Sequence, residues 1–144
     1  PVFWSSSNGA LYALAPPRRG LLPYADLWMG YEDLGYGWPL HEHGYAQFTA
    51  SAVQIGDGYE YEKKGAVWMT SKPAWYAYYY ARNLLLTAER THQPLPVRSL
   101  ALARVVLELG VTTMLRKQKV ERISATLHGL RDAFRHQTGK WRLP

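Results

Sequence analysis

The chain contains no cysteine, which excludes a disulfide framework and any thiolate-held metal and fits a reducing compartment. It also lacks a long hydrophobic run: no uninterrupted apolar stretch reaches the roughly 18 residues of a membrane span, and no signal peptide is readable. There is no glycine-rich phosphate loop and no Asp-x-Asp pair that would seat a metal-bound diphosphate. Acidic residues are the scarcer charge, 11 against 17 Lys and Arg. The chain opens at Pro1 on strand-like residues without a Met, so a fragment of a longer polypeptide is expected.

What is present is one domain's worth of chain, 144 residues, long enough to bury a core. Aromatics are abundant, with six Trp and eleven Tyr. Charge is unevenly placed. Residues 1–81 carry 5 basic and 7 acidic side chains, whereas residues 82–144 carry 12 and 4. A basic half beside a near-neutral one points to an anionic partner. Nucleic acid is the weaker choice, because base stacking needs aromatics interleaved with the positive charge. Here the aromatics lie mainly before residue 82 and the cations after it.

The most chemically loaded stretch runs from Leu27 to Tyr45 and sets Glu32 and Asp33 side by side among aromatics and glycines. Two adjacent carboxylates in apolar surroundings resist double ionisation, which is one way to prepare a general base. The same pair also suits a helix start, where the macrodipole favours negative charge. Gly35 and Pro39 make the following segment a poor helix by propensity. His41-Glu42-His43 invites a metal reading, but the i, i+2 spacing puts the rings on opposite sides of a helix, which argues against zinc.

Pro1–Trp4 and Ala10–Leu14 read as extended pieces around the turn cluster Ser5–Gly9. Tyr45–Ile55 alternates and is rich in strand formers, so it reads as a strand ending at the tight turn Gly56-Asp57-Gly58. Tyr59–Gly65 is polar and reads as a mobile loop, with Ala66–Met69 docking on the core and Trp68 as a lid residue or an anchor. Ser71 and Pro73 mark a helix start, and that helix runs to about Arg90. Trp75, Tyr79 and Arg82 or Asn83 share one of its faces; such a stripe is either core or a sugar-facing surface. A second helix spans Val97–Met114, with Arg104 and Glu108 at i, i+4. In the last helix Val120, Ile123, Leu127, Leu130 and Phe134 form an amphipathic stripe bordered by Lys117, Lys119, Arg122, Arg131 and Arg135. Such a stripe either packs on its own domain or lies on an anionic membrane surface.

Three blocks, in order, resemble family-2 glycosyltransferases of the GT-A fold, particularly bacterial rhamnosyltransferase-like members. The first is Tyr31, Glu32, Asp33, Trp38, Leu40, Gly44 and Tyr45, which fall in that register without a gap. The second is Tyr79-Tyr80-Ala81-Arg82-Asn83, and the third is Leu127–Phe134. Gly35 and Pro39 depart from the pattern, standing where the family often has Asp and Arg. The resemblance implies an α+β fold: residues 1–60 the C-terminal part of a GT-A mixed sheet, residues 61–144 a helical C-terminal region. It makes Asp33 the catalytic base and Glu32 the neighbour that orients or tunes it. It places Trp4, Ser7, Asn8, Trp38, Tyr79 and Arg82 at the acceptor or substrate site. Asp57 stands nearest the position where the family has a metal- or diphosphate-binding His, and an oxygen ligand suits Mg²⁺ or Mn²⁺.

The implied activity is inverting transfer from a nucleotide-sugar donor to a glycan or lipid-linked acceptor, in surface polysaccharide biosynthesis. The divalent metal would be held mainly by an N-terminal half that this chain lacks. Expected partners are the two substrates, an anionic membrane surface at the cytoplasmic face, and a second copy of the chain, but not nucleic acid. The alternative is a carbohydrate-binding module that uses its Trp and Tyr rings as platforms without chemistry.

Overall fold

The computed structural model describes residues 13–48, 61–64, 67–70 and 72–141. In chain order these form a one-turn helix α1 (Ala15–Arg18), a 3-10 turn (Ala25–Leu27) and α2 (Glu32–Glu42). Then come a hairpin of β1 (Tyr61–Lys64) and β2 (Val67–Thr70), and three long helices: α3 (Tyr76–Arg90), α4 (Leu95–Leu115) and α5 (Lys119–Phe134).

The expected α+β architecture is therefore corrected. The described residues are mainly helical, and their strands form one two-stranded antiparallel sheet, not a mixed sheet of the GT-A kind. The physical reason is where the apolar residues fall. The core is assembled from side chains recurring at helical spacing, such as Ala81, Leu84 and Ala88 on α3 and Ala101 and Val105 on α4. The strands read at Pro1–Trp4, at residues 10–12 and at residues 49–55 lie outside the described residues. Tyr45 to Phe48, which were expected to open a strand, are irregular with a single bridge residue at Gln47.

Gly44 and Tyr45 instead close α2. Gly44 is left-handed (φ +79°), and the N–H groups of Tyr45 and Gly44 return to the carbonyls of Leu40 and His41 at 2.9 and 3.0 Å. That is the bonding of a Schellman cap. α3 and α5 end in the same way, with His92 and His136 in the left-handed position. α2 itself forms despite Gly35, Gly37 and Pro39, because packing overrides propensity. A Cβ on Gly35 would lie 2.9 Å from the Tyr24 ring and 3.6 Å from Thr87, so glycine lets α2 sit close to both.

The segment read as a mobile loop instead supplies β1, which pairs with β2 in the stretch expected to dock on the core, Tyr61 with Thr70 and Lys64 with Val67. Its polarity masked strand formers on both arms: Tyr61, Val67, Trp68 and Thr70. The start of α3 is also shifted. Pro73, Ala74 and Trp75 wind into it as a turn, accepting from Tyr76, Ala77 and Tyr78, and Ser71 lies outside the described residues.

α3 and α5 make the most extensive helix pair. The face α5 presents is not the expected stripe but a set of small residues, Ala125, Gly129 and Ala133, joined by Thr126 and Asp132. A Cβ on Gly129 would stand 2.4 Å from the Tyr78 carbonyl oxygen and 3.2 Å from Ala81 Cβ. The two backbones are that close. The predicted stripe is split: Leu130 packs against the Ala81–Val105 cluster, whereas Val120, Leu127 and Phe134 face solvent. Glu108 does not pair with Arg104 as its spacing suggested; it accepts from Arg116 at 2.9 Å.

Candidate functional site

Glu32 and Asp33 occupy the first turn of α2, where the helix dipole favours them. The chain reaches them through an unusual loop. Trp28 (φ +69°), Gly30 (φ +75°) and Tyr31 (φ +66°) are all left-handed. For Trp and Tyr such a backbone costs of order 1–3 kcal/mol each and persists only where the surroundings impose it. Two buried side chains of α3 do so. The Asn83 amide nitrogen donates to the carbonyls of Leu27 (3.0 Å), Met29 (2.6 Å) and Gly30 (3.0 Å). Arg82 adds a bond from its terminal nitrogen to the Leu27 carbonyl at 2.8 Å.

Arg82 is 1% exposed, and a buried guanidinium needs partners for its fixed fork of donors. Besides Leu27 it donates to Asn83 Oδ1 (2.8 Å), the Tyr78 hydroxyl (3.1 Å) and the Gly139 carbonyl (2.8 Å). The Tyr78 and Tyr79 rings lie 5.0 and 5.1 Å from its central carbon. Its charge is answered through Tyr78, whose hydroxyl donates to Asp132 Oδ2 at 2.8 Å. Burial opposes ionisation of Asp132, but the bonds from Tyr78 and Arg131 outweigh it and hold the carboxyl below the usual range. Burial, reinforced by the bond to Asp132, pushes the Tyr78 phenol up to about 12. Trp141 stacks on Tyr78 with ring centres 4.5 Å apart, and its backbone N–H donates to the Tyr79 hydroxyl at 2.8 Å. The segment after α5 is thus stitched over the same network.

Beside the Ala81–Val105 cluster a second set of groups converges. Tyr31 lies 5.8 Å, ring centre to ring centre, from Tyr80. Burial, with Tyr80 beside it, raises the Tyr31 phenol well above its usual value. Arg104 of α4 donates to the Tyr80 hydroxyl at 3.1 Å. Within the pair, Asp33 Oδ1 accepts from the Leu34 N–H at 2.8 Å. Glu32 Oε2 is buried and accepts no hydrogen bond.

Of the candidates named from sequence, Glu32 and Asp33 are adjacent and half-buried. Trp38 is half-buried and packs against the Ala81–Val105 cluster. Tyr79 and Arg82 are enclosed, beneath the loop rather than on an open surface, whereas Trp75 at the other end of the stripe is 37% exposed. Trp4, Ser7, Asn8 and Asp57 lie outside the described residues. Asn83, Tyr31, Tyr80 and Arg104 were not singled out as site residues. For Asn83 and Tyr80 the signal was present, since both belong to the Tyr79–Asn83 block.

Among the described residues no group of three His, Asp or Glu side chains is placed to hold a metal ion. His43 Nδ1 instead lies 2.8 Å from the Pro39 carbonyl oxygen. None of the helices among these residues is long and apolar enough to cross a membrane. No family model, curated protein or solved structure matches the chain.

Proposed function

We propose that this chain is the acceptor-side, base-bearing part of an inverting glycosyltransferase that uses a nucleotide-sugar donor at the cytoplasmic face of a membrane. The observation that carries the reading is the clamped loop: buried Arg82 and Asn83 hold a left-handed turn in place immediately before the acid pair. General-base catalysis needs such support, because the carboxylate must lie within about 3 Å of the hydroxyl it deprotonates, directly or through one water.

Asp33 takes the proton of the acceptor hydroxyl as its oxygen attacks the anomeric carbon. The new glycosidic C–O bond forms on the face opposite the departing nucleoside diphosphate, which leaves with the electron pair of the broken bond. Glu32, the adjacent carboxylate in the first turn of α2, orients or tunes Asp33. Tyr31, Tyr80 and Arg104 supply an aromatic and cationic rim of the kind sugars stack on.

Asp33→Asn in the complete enzyme tests this. Turnover of nucleotide sugar should fall by 10²-fold or more, the size of a general-base loss, with donor affinity retained. Near-normal turnover in Asp33→Asn beside an inactive Glu32→Gln would transfer the role to Glu32. Glycan binding without donor turnover in the complete protein would make the chain a carbohydrate-binding module instead.

A further inference from the structure

The outward face of α4 is exposed and apolar, and no element of the described residues packs on it. Ser99, Leu100, Ala103, Val106, Leu107, Gly110 and Met114 follow one another at the three- and four-residue steps of a single helix face. No charged residue falls on it. The helix's 21 residues make it roughly 30 Å long. Leu100, Leu107 and Met114 are 70%, 61% and 78% exposed. The opposite face carries Ala101, Val105 and Thr112 and is buried. α4 is therefore apolar on both sides, and only one side is explained by the fold.

The charges bordering this face select its occupant. Arg104 lies on its flank, and Lys117 and Lys119, both exposed, follow its C-terminal end. Glu108, the one acid of α4, is turned away and salt-bridged to Arg116 at 2.9 Å. The nearest exposed acid in sequence is Glu121, in the first turn of α5. An antiparallel contact with a second copy, centred on Leu107, would bring Arg104 close to its own mate, and like charges there repel. An anionic lipid surface meets both needs at once, burying the apolar side chains at the acyl boundary and pairing Lys117 and Lys119 with headgroups.

We propose that the outward face of α4 seats the protein in the plane of an anionic membrane, with Leu100, Leu107 and Met114 inserted and the cations at its edge. This site is independent of the acid pair and does not rest on the glycosyltransferase reading.

Sedimentation of the full chain with vesicles tests it, using phosphatidylcholine alone and phosphatidylcholine mixed with phosphatidylglycerol. Binding to the anionic vesicles at low salt, weakened as salt rises and absent on neutral vesicles, is expected. Leu107→Glu and Met114→Glu lie on the exposed face and should keep the parent's melting temperature. Each should weaken vesicle binding about tenfold or more, the cost of withdrawing a large apolar side chain. Lys117→Glu with Lys119→Glu should do the same. Indifference to anionic vesicles at low salt overturns the proposal. So does binding that survives Leu107→Glu unchanged. A dimer in lipid-free solution that Leu107→Glu dissociates would assign the face to a second copy and equally overturn it.

Discussion

Replacing Asn83 with alanine removes the side chain on which the loop before the acid pair depends. Its amide nitrogen reaches the Leu27, Met29 and Gly30 carbonyls at 3.0, 2.6 and 3.0 Å. The Leu27 oxygen keeps its bond from Arg82, so the loss falls on Met29 and Gly30. A buried acceptor deprived of its donor costs about 1–3 kcal/mol, so two would cost roughly 2–6 kcal/mol; both bonds are only part-buried, and water replaces some of the loss, which leaves roughly 2–4 kcal/mol. Some of this returns if the left-handed residues Trp28 and Tyr31 relax to commoner conformations, and that same relaxation moves Glu32 and Asp33. A shift of about 1 Å at a reacting group can cost 10²-fold in rate. Asn83→Ala should therefore lower both stability, read by urea unfolding followed through Trp fluorescence, and turnover, although neither acid is touched. Asn83→Asp keeps the shape but turns the donor into an acceptor facing carbonyl oxygens, so it should rescue neither property. Asn83→Ala unfolding within about 0.5 kcal/mol of the parent, the ordinary scatter of surface changes, would refute the clamp.

Two further outcomes follow from the α3–α5 contact. Gly129→Ala places a methyl 2.4 Å from the Tyr78 carbonyl oxygen; the helices must separate, and overpacking of about 1–3 kcal/mol should exceed the alanine's helix-propensity gain of about 1 kcal/mol. A thermal melt at or above the parent's would contradict that closeness. Asp132 is held ionised in the folded protein. Its contribution is thus fully present above the ordinary aspartate value near 3.9 and is lost as pH falls through the depressed folded value. The stability gap between parent and Asp132→Asn should be widest near neutrality and close in acid; a gap independent of pH would remove the charge from the argument.

What the sequence made legible was decided by where the packing pressure lies. α3 was readable to its last residue, since Arg90 precedes Pro94 and the aromatic stripe has helical spacing. α5 was readable as a helix, but its buried side was not. Apolar periodicity pointed to Val120, Leu127 and Phe134, whereas the helix packs through Ala125, Gly129 and Ala133. Side-chain size explains the difference. Close approach of two backbones is favoured by small residues, which carry little hydrophobic signal, and it leaves the large ones outside. The absence of a mixed sheet among the described residues has a related cause. Strand-forming residues in the first sixty positions suggested such a sheet, but the Tyr45 and Gly44 bonds to Leu40 and His41 use up the start of one expected strand as a helix cap.

The site was legible as residue types but not as roles. Arg82 beside four aromatics looked like a sugar contact, and composition cannot tell a cation facing solvent from one that is buried and hydrogen-bonded. Geometry can: its donors go to Leu27, Asn83, Tyr78 and Gly139. Those partners come from the loop before α2, from α3 itself and from the segment after α5. The loop before the acid pair is thus tied to a segment more than a hundred residues later, through one guanidinium. Lysine cannot replace it, since a single ammonium lacks the planar fork needed to reach carbonyls on two sides. The loop before α2, α3 and the Asp132 end of α5 therefore meet in one hydrogen-bonded assembly. The carboxylate pair is joined to it through the backbone that follows the clamped Met29 and Gly30 carbonyls.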